Sequence, residues 1–200
     1  MLDQQAPADT VRWESVATVI RERRSNLNVD PDRPVPREVV DELLGLAVLA
    51  PNHYRTNPHR FAVITGEARA RLGAFAAEVV ARLPNANEGM VDRQRNQFMR
   101  APCIIAVASA ADPDPIKHFE NKYSAAAGVQ NILLGATAKG LASYWRSGLA
   151  MIDPNVSGPM KEQLGFEPND EIVAFVNIGY PIGPPNARPT FTPNVRYLDS

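Results

Sequence analysis

The sequence predicts a single α+β or mixed α/β domain. A length of 200 residues suits one domain. A composition of 44% hydrophobic and 22% charged residues supports an ordinary globular core. Segments with helical periodicity alternate only loosely with short strand-like runs, which is typical of these two fold classes. We find no repeat, so one domain is expected over residues 1–200, with an N-terminal arm at 1–10 and an extended C-terminal tail at 181–200.

Two helices are predicted before residue 51. The first covers residues 11–24, with Asp9 and Thr10 as candidate caps. The second begins near Pro36, after a proline-rich linker, and is stopped by Pro51. The apolar positions are Trp13, Val16, Ala17 and Ile20 in the first helix and Val39, Val40, Leu43, Leu44 and Ala47 in the second.

The remainder of the chain alternates strands and helices. Runs of apolar, β-branched and aromatic residues predict strands at 61–65, 104–109, 141–145 and 171–179. Helical patterns predict helices at 67–82, 88–99, 116–139 and 154–164, the last ended by Gly165. Prolines 184, 185, 189 and 193 exclude a helix in the tail, which is expected to be extended and to lie on its own body or on a partner subunit.

Composition also excludes several classes of function. A net charge of −1 argues against bulk electrostatic binding to nucleic acid or to an anionic membrane surface. We see no signal peptide and no apolar run long enough to cross a bilayer, so a cytoplasmic location is expected. The single cysteine, Cys103, lies in a predicted buried strand and suits a packing role.

The predicted helix at 116–139 is rich in small residues, among them Gly128 and Gly135. Glycine costs about 1 kcal/mol relative to alanine inside a helix, so close approach of another group is expected. Two interpretations remain open. The helix is either packed tightly within the monomer, or it forms the core of a dimer with a cofactor alongside.

Three segments are candidates for chemistry. Arg23-Arg24-Ser25 offers two cations and a hydroxyl to an anion such as a phosphate, although cations at a helix end also interact favourably with the helix dipole. The loop at residues 50–61 presents many donors, including His53 and Asn57. The third segment, Trp145-Arg146-Ser147-Gly148, directly follows a predicted strand. No metal site, nucleophile elbow, Rossmann glycine motif or P-loop is found.

These segments, in this order, resemble the nitroreductase family of FMN-dependent oxidoreductases, and within it the compact bacterial branch. Further matches are Arg100-Ala101-Pro102, Gln130 to Leu134 with Gly140-Leu141, and Ile178-Gly179-Tyr180-Pro181. The resemblance spans about residues 15–182. It implies an α+β fold with a mixed or antiparallel central sheet flanked by helices. It also implies an intertwined homodimer with an extended C-terminal arm and an FMN in each of two interface sites.

The resemblance further implies the roles of individual residues. The FMN-binding residues would be Arg23, Arg24, Ser25, His53, Asn57, Trp145, Arg146 and Ser147. Gly135, Ala136, Thr137, Ala138, Lys139 and Gly140 match a segment that binds the nicotinamide nucleotide. A hydride would pass from NAD(P)H through FMN to a nitroaromatic, quinone or similar small acceptor in a ping-pong cycle, with no obligatory catalytic side chain. Competing interpretations are a specialised flavin reaction, a flavin-storing or flavin-sensing dimer, and a cofactor-free interaction module.

Departures from the family pattern leave specific questions. A basic residue often stands where this chain has Leu27, so Arg146 or His53 would have to stabilise reduced flavin. Gln-Pro-Trp has become Asn57-Pro58-His59. The loop at residues 111–118 is either a lid or an ordinary connector. Arg188 either reaches the phosphate or is solvated, and the solvated form is the slightly favoured expectation.

Overall fold

The computed structural model describes residues 6–198, and the side chains of residues 6–9 lie outside that description. It contains four strands and seven α-helices within this range. The strands are β1 (His59–Thr65), β2 (Cys103–Ser109), β3 (Ala142–Arg146) and β4 (Glu171–Gly179). The helices are α1 (Ala6–Glu22), α2 (Arg37–Ala47), α3 (Ala68–Ala81), α4 (Glu88–Asn96), α5 (Pro115–Ala138), α6 (Leu149–Ile152) and α7 (Pro154–Leu164).

The strands form one antiparallel sheet in the order β1-β2-β4-β3. Successive residues of β2 face opposite sides of the sheet. Ile105 and Val107 join a core with α2 and α5, whereas Ile104 and Ala106 join a second core with α3 and α7. The predicted α+β class is therefore confirmed, and Cys103 lies fully buried in the central strand as expected.

Local chemistry sets the ends of the helices. Asp114 and Asp153 cap α5 and α7 through their side chains, and a proline follows each cap at the first helical position. Gly165 ends α7 in the left-handed conformation, with φ of 73°. Small residues let α5 approach its neighbours, because a Cβ on Gly128 would lie 2.9 Å from the Ala47 carbonyl oxygen. Tight packing within the monomer thus accounts for part of its composition.

Several sequence predictions need correction. The first helix begins at Ala6, so Asp9 and Thr10 lie inside it instead of capping it, and only residues 1–5 of the expected arm remain outside the described chain. The predicted helix at 88–99 ends at Asn96 and continues as a 3₁₀ turn. The short helix α6 was missed.

The apolar face predicted for the first helix is only partly covered within the chain. Ala17 is buried, but Trp13, Val16 and Ile20 are 65%, 58% and 47% exposed. The tail from Ile182 to Leu198 has no helix or strand, as predicted. No helix among the described residues combines the length and hydropathy needed to span a bilayer.

Candidate active site

Two of the predicted segments meet at the outer edge of strand β3. Ser25 forms an isolated parallel bridge with Ser143, and the Asn26 amide donates to the Ser143 carbonyl at 3.1 Å. Trp145 follows two residues further along the same strand. The chain after α1 therefore brings Arg23-Arg24-Ser25 and Trp145-Arg146-Ser147 to one edge of the sheet.

Three arginines converge at this edge. Arg188 of the tail donates to the Arg23 carbonyl at 2.5 Å, and Arg24 donates to the Asn186 carbonyl. The pKa of Arg23 is lowered, first by burial and then by repulsion from Arg188 and Arg24. None of the three forms an ion pair with any side chain between residues 10 and 198. Arg188 is exposed, as the favoured expectation has it, and it also contacts the cluster through the Arg23 carbonyl, so its reach to a phosphate stays a prediction.

Asn26, which sequence reasoning missed, ties the tail to this cluster. Its buried amide donates to the Gly183 carbonyl at 3.0 Å, while its side-chain oxygen accepts from the Asn28 amide at 3.0 Å. The Asn28 side chain donates to the Pro184 carbonyl at 2.9 Å. The only sequence hint is that two asparagines closely follow the arginine pair. These contacts hold the tail across the end of α1.

Trp145 and Arg146 point to opposite faces of β3. Trp145 and Ser147 are exposed, whereas Arg146 is half-buried and donates to the Gln97 carbonyl at 3.3 Å. Burial lowers the pKa of Arg146, Tyr144 opposes that shift, and the positive charges of Arg100 and Arg93 add to it. The guanidinium therefore packs on the α3–α4 side of the sheet, where Ser147 lines the same cavity, and Trp145 faces the other side.

The segment predicted for the nicotinamide nucleotide forms the last turn of α5. Gly135 packs against α2, where a Cβ would lie 2.8 Å from side-chain atoms of Leu43 and Leu46. Thr137 lines a cavity of about 300 Å³ together with Arg24 and Asn26. Lys139 pairs with Glu42 of α2. Helix packing thus explains much of this segment, and Thr137 is the member that reaches the arginine edge.

His53 and Asn57 lie on the loop between α2 and β1. His53 Nδ1 is 2.9 Å from Glu120 Oε2, and the imidazole stacks on Tyr54 with ring centroids 4.1 Å apart. The Asn57 amide donates to Asn52 Oδ1 at 3.1 Å. Glu120 was missed because it lies 67 residues along the chain from His53. This pairing fixes the imidazole, with Nε2 left for other partners.

The predicted flavin residues thus form two separate groups. Ser25 lies outside β3 and level with Thr65 of β1, whereas Asn57 precedes His59 at the other end of β1. With strands about 4.8 Å apart and a rise of about 3.3 Å per residue, the groups are roughly 20 Å apart across the sheet and roughly 20 Å along it. The chain does not bring the two groups together by itself.

The loop before α5 is tied to the sheet. The Ala110 amide donates to the Pro58 carbonyl at 2.7 Å, and the Ala111 amide donates to Asp170 Oδ1 at 3.2 Å. His118, inside α5, accepts from the Asp112 amide at 3.4 Å and contacts Glu171 at 2.8 Å. These anchors favour the connector interpretation of residues 111–118 over the lid. Among the described side chains, no group of three or more potential ligands is placed to hold a metal ion.

Comparison with known proteins identifies the family. The model of the nitroreductase family matches residues 20–180. YdjA of Escherichia coli K12 is 32% identical over 150 residues, which cover 74% of this chain and 79% of the relative. YfhC of Bacillus subtilis is 29% identical over 172 residues, or 85% of this chain and 86% of the relative. An NAD(P)H nitroreductase activity is provisionally assigned to both.

Solved structures agree with the fold. A nitroreductase-like protein from Bacillus cereus is 28% identical, with a TM-score of 0.75 over 88% of this chain and 91% of that one. A structure from Desulfovibrio desulfuricans in complex with FMN is 25% identical, with a TM-score of 0.64 over 87% of this chain and 91% of that one. The family resemblance predicted from the sequence is confirmed, and this chain belongs to the nitroreductase family.

Proposed function

We propose that this protein is an FMN-dependent oxidoreductase that uses NAD(P)H to reduce a nitroaromatic, quinone or similar small acceptor. The observation that carries the proposal is the cluster of Arg23, Arg24 and Arg188, which has no carboxylate partner within the described chain. Holding three cations together is unfavourable unless an anion neutralises them. Guanidinium groups bind phosphate through paired hydrogen bonds, and the Ser25 hydroxyl can add another.

The residues at the β3 edge fit the remainder of FMN as well. The exposed Trp145 offers an aromatic surface beside the cation cluster, and Ser147 offers a hydroxyl. Bound there, FMN would supply the redox chemistry that couples oxidation of NAD(P)H to reduction of a second substrate in the same pocket. The side chains bind and orient the cofactor, so no catalytic acid or base is assigned. A location in the cytosol remains an expectation.

A homodimer is part of the same proposal. His53 and Asn57 lie too far from Ser25 within one chain to contact the same flavin, as the sheet geometry above requires. A second copy could supply them. Exposed apolar side chains mark a surface for that copy, and they come from α1, from the end of α2 and the following turn, and from α5: Trp13, Val16, Ile20, Leu46, Leu49, Phe119 and Tyr123.

One experiment separates the proposal from its alternatives. The purified full-length protein should show a flavin absorption spectrum and should bleach when NADPH or NADH is added without oxygen. A spectrum without bleaching by either nucleotide would favour flavin storage or sensing. A colourless protein that cannot be loaded with FMN would leave only the cofactor-free interaction module.

The acceptor should then be tested in the same sample. Reoxidation of the bleached flavin by a nitroaromatic or a quinone, with release of NAD(P)+ before the acceptor reacts, would support the ping-pong cycle. Bleaching by a nucleotide followed by no reaction with either acceptor class would favour a specialised flavin reaction instead.

A further inference from the structure

A second polar cavity lies at the start of β1, beside the loop that carries His53. Its volume is about 410 Å³, and it is lined by Val48, Ala50, Asn52, Arg55, Asn57 and His59. Small-molecule sites combine apolar walls with a few placed polar groups, and this lining has both. Arg55 has no role in the function proposed above.

A buried, unpartnered polar atom underlies the same cavity. His59 is 6% exposed, and its Nε2 lies 3.2 Å from the Ser124 carbonyl, which places the hydrogen on Nε2. Its Nδ1 is buried without a hydrogen-bond partner. Unsatisfied buried polar atoms are uncommon in folded proteins, and each calls for an explanation such as a functional role or a bound water. The site therefore differs from ordinary surface depressions in this respect.

Arg55 is presented to the cavity by a strained loop. Arg55 and Asn57 have φ values of 54° and 48°, in the left-handed region that asparagine tolerates better than arginine. Asn52 holds this geometry by donating to the Thr56 hydroxyl at 3.0 Å and accepting from the Asn57 amide at 3.1 Å. Thr56 in turn donates to Asn121 of α5 at 2.5 Å. The surrounding contacts therefore impose the conformation of Arg55.

The charge of Arg55 has no counterion among the described residues. Glu120, the carboxylate on the facing turn of α5, is taken by His53 at 2.9 Å. Arg60 donates to the Asn57 and His59 carbonyls, and Lys117 lies 5.3 Å from the centre of the Tyr54 ring. Among the residues that line the cavity, Arg55 is the charged one, so an anion would be attracted there.

We propose that Arg55 binds the carboxylate of an acidic aromatic electron acceptor, with the ring against Val48 and Ala50. The proposal rests on the proposed function, because Arg55 lies midway between His53 and Asn57, the two loop residues assigned to the flavin. A guanidinium holds a carboxylate through two parallel hydrogen bonds, which a neutral amide cannot reproduce. Arg55 is thus a specificity-determining residue for acceptors that carry a negative charge.

The test compares two acceptors of nearly equal shape, 4-nitrobenzoate and 4-nitrobenzamide, on the FMN-loaded protein. Arg55→Gln should lower kcat/KM for the benzoate about tenfold and leave the amide within twofold. The affinity for unreactive benzoate, measured by calorimetry, should fall by a similar factor. Arg82→Gln is the matched control, since Arg82 is an exposed arginine at the end of α3 without a side-chain partner among the described residues.

Each outcome has a distinct meaning. Unchanged benzoate kinetics and binding in Arg55→Gln would overturn the proposal while leaving the flavin function intact. A slower reduction of the flavin by NAD(P)H would show that Arg55 serves the nucleotide phosphates instead, and would also overturn it. If the wild-type protein binds no FMN, the proposed function itself is wrong, and that result is distinct from a failure of the Arg55 proposal.

Discussion

Two opposite corners of the sheet differ in whether their cationic side chains have carboxylate partners. At the β3 edge, Arg23, Arg24 and Arg188 converge without a carboxylate partner in the described chain. At the opposite corner, Glu171 contacts both His118 and Lys122, and Glu120 contacts His53, whereas Arg55 on the adjoining loop has no carboxylate partner among the described residues. Paired charges there hold α5 to the sheet and to the preceding loop. The comparison teaches that the cations left unpaired, rather than the number of charges, mark where a ligand is expected.

The largest effect should come from preventing dimer formation, because the proposed flavin site needs residues from both subunits. Ile20→Glu places a charge on the exposed apolar face of α1, and burying that charge in an interface would be strongly unfavourable. We expect a monomer by light scattering and a loss of FMN affinity greater than the roughly thirtyfold that the removal of one phosphate contact should cause. Ala74→Glu on α3 is the control, since Ala74 is exposed and α3 has no large exposed apolar side chain. A dimer that persists in Ile20→Glu would place the subunit contact elsewhere.

The helices and strands were predicted from the sequence better than the residues of the site were. The long helices follow from periodicity and the buried strands from continuous apolar runs, as in β4 at Glu171–Gly179, where all residues after the first are buried. Asn26 and Glu120 were missed, since each acts through a partner distant in the chain. Trp13, Val16 and Ile20 show the same limit of sequence analysis for a surface instead of a site. Their spacing predicts a buried face but not which molecule buries it.

Removing one unpaired arginine tests the β3 corner directly. Arg24→Ala should weaken FMN binding by about 2 kcal/mol, or roughly thirtyfold, because a charged hydrogen bond to phosphate is lost. Arg24→Lys should recover part of that loss, since it restores the charge without the forked donors. Arg21→Ala is the matched control, because Arg21 is mostly exposed and paired with Glu14 at 3.4 Å. Equal FMN affinity in Arg24→Ala and wild type, measured by fluorescence quenching, would show that Arg24 does not bind the phosphate.

The smallest effect should come from removing the charge of Glu171, which pairs with His118 and Lys122. The pKa of Glu171 is lowered from its ordinary 4.5, first by its hydrogen bond to Lys122 and then by His118 against the opposing effect of burial. A carboxyl whose pKa is lower when folded stabilises the protein above about pH 4.5, and that contribution is lost as the pH falls. Glu171→Gln should therefore cost about 0.5–1 kcal/mol of unfolding free energy at pH 7, a modest figure because the pair is partly exposed.

The pH dependence distinguishes this pairing from a general effect of substitution. In urea denaturation, the stability difference between Glu171→Gln and wild type should shrink as the pH is lowered from 7 towards 3, while FMN affinity at pH 7 stays unchanged. Glu162→Gln, at an exposed glutamate of α7 with no side-chain partner in the described chain, should match wild type throughout. A loss of FMN affinity in Glu171→Gln would contradict the structural role assigned to Glu171, because it would couple its charge pairs to the site.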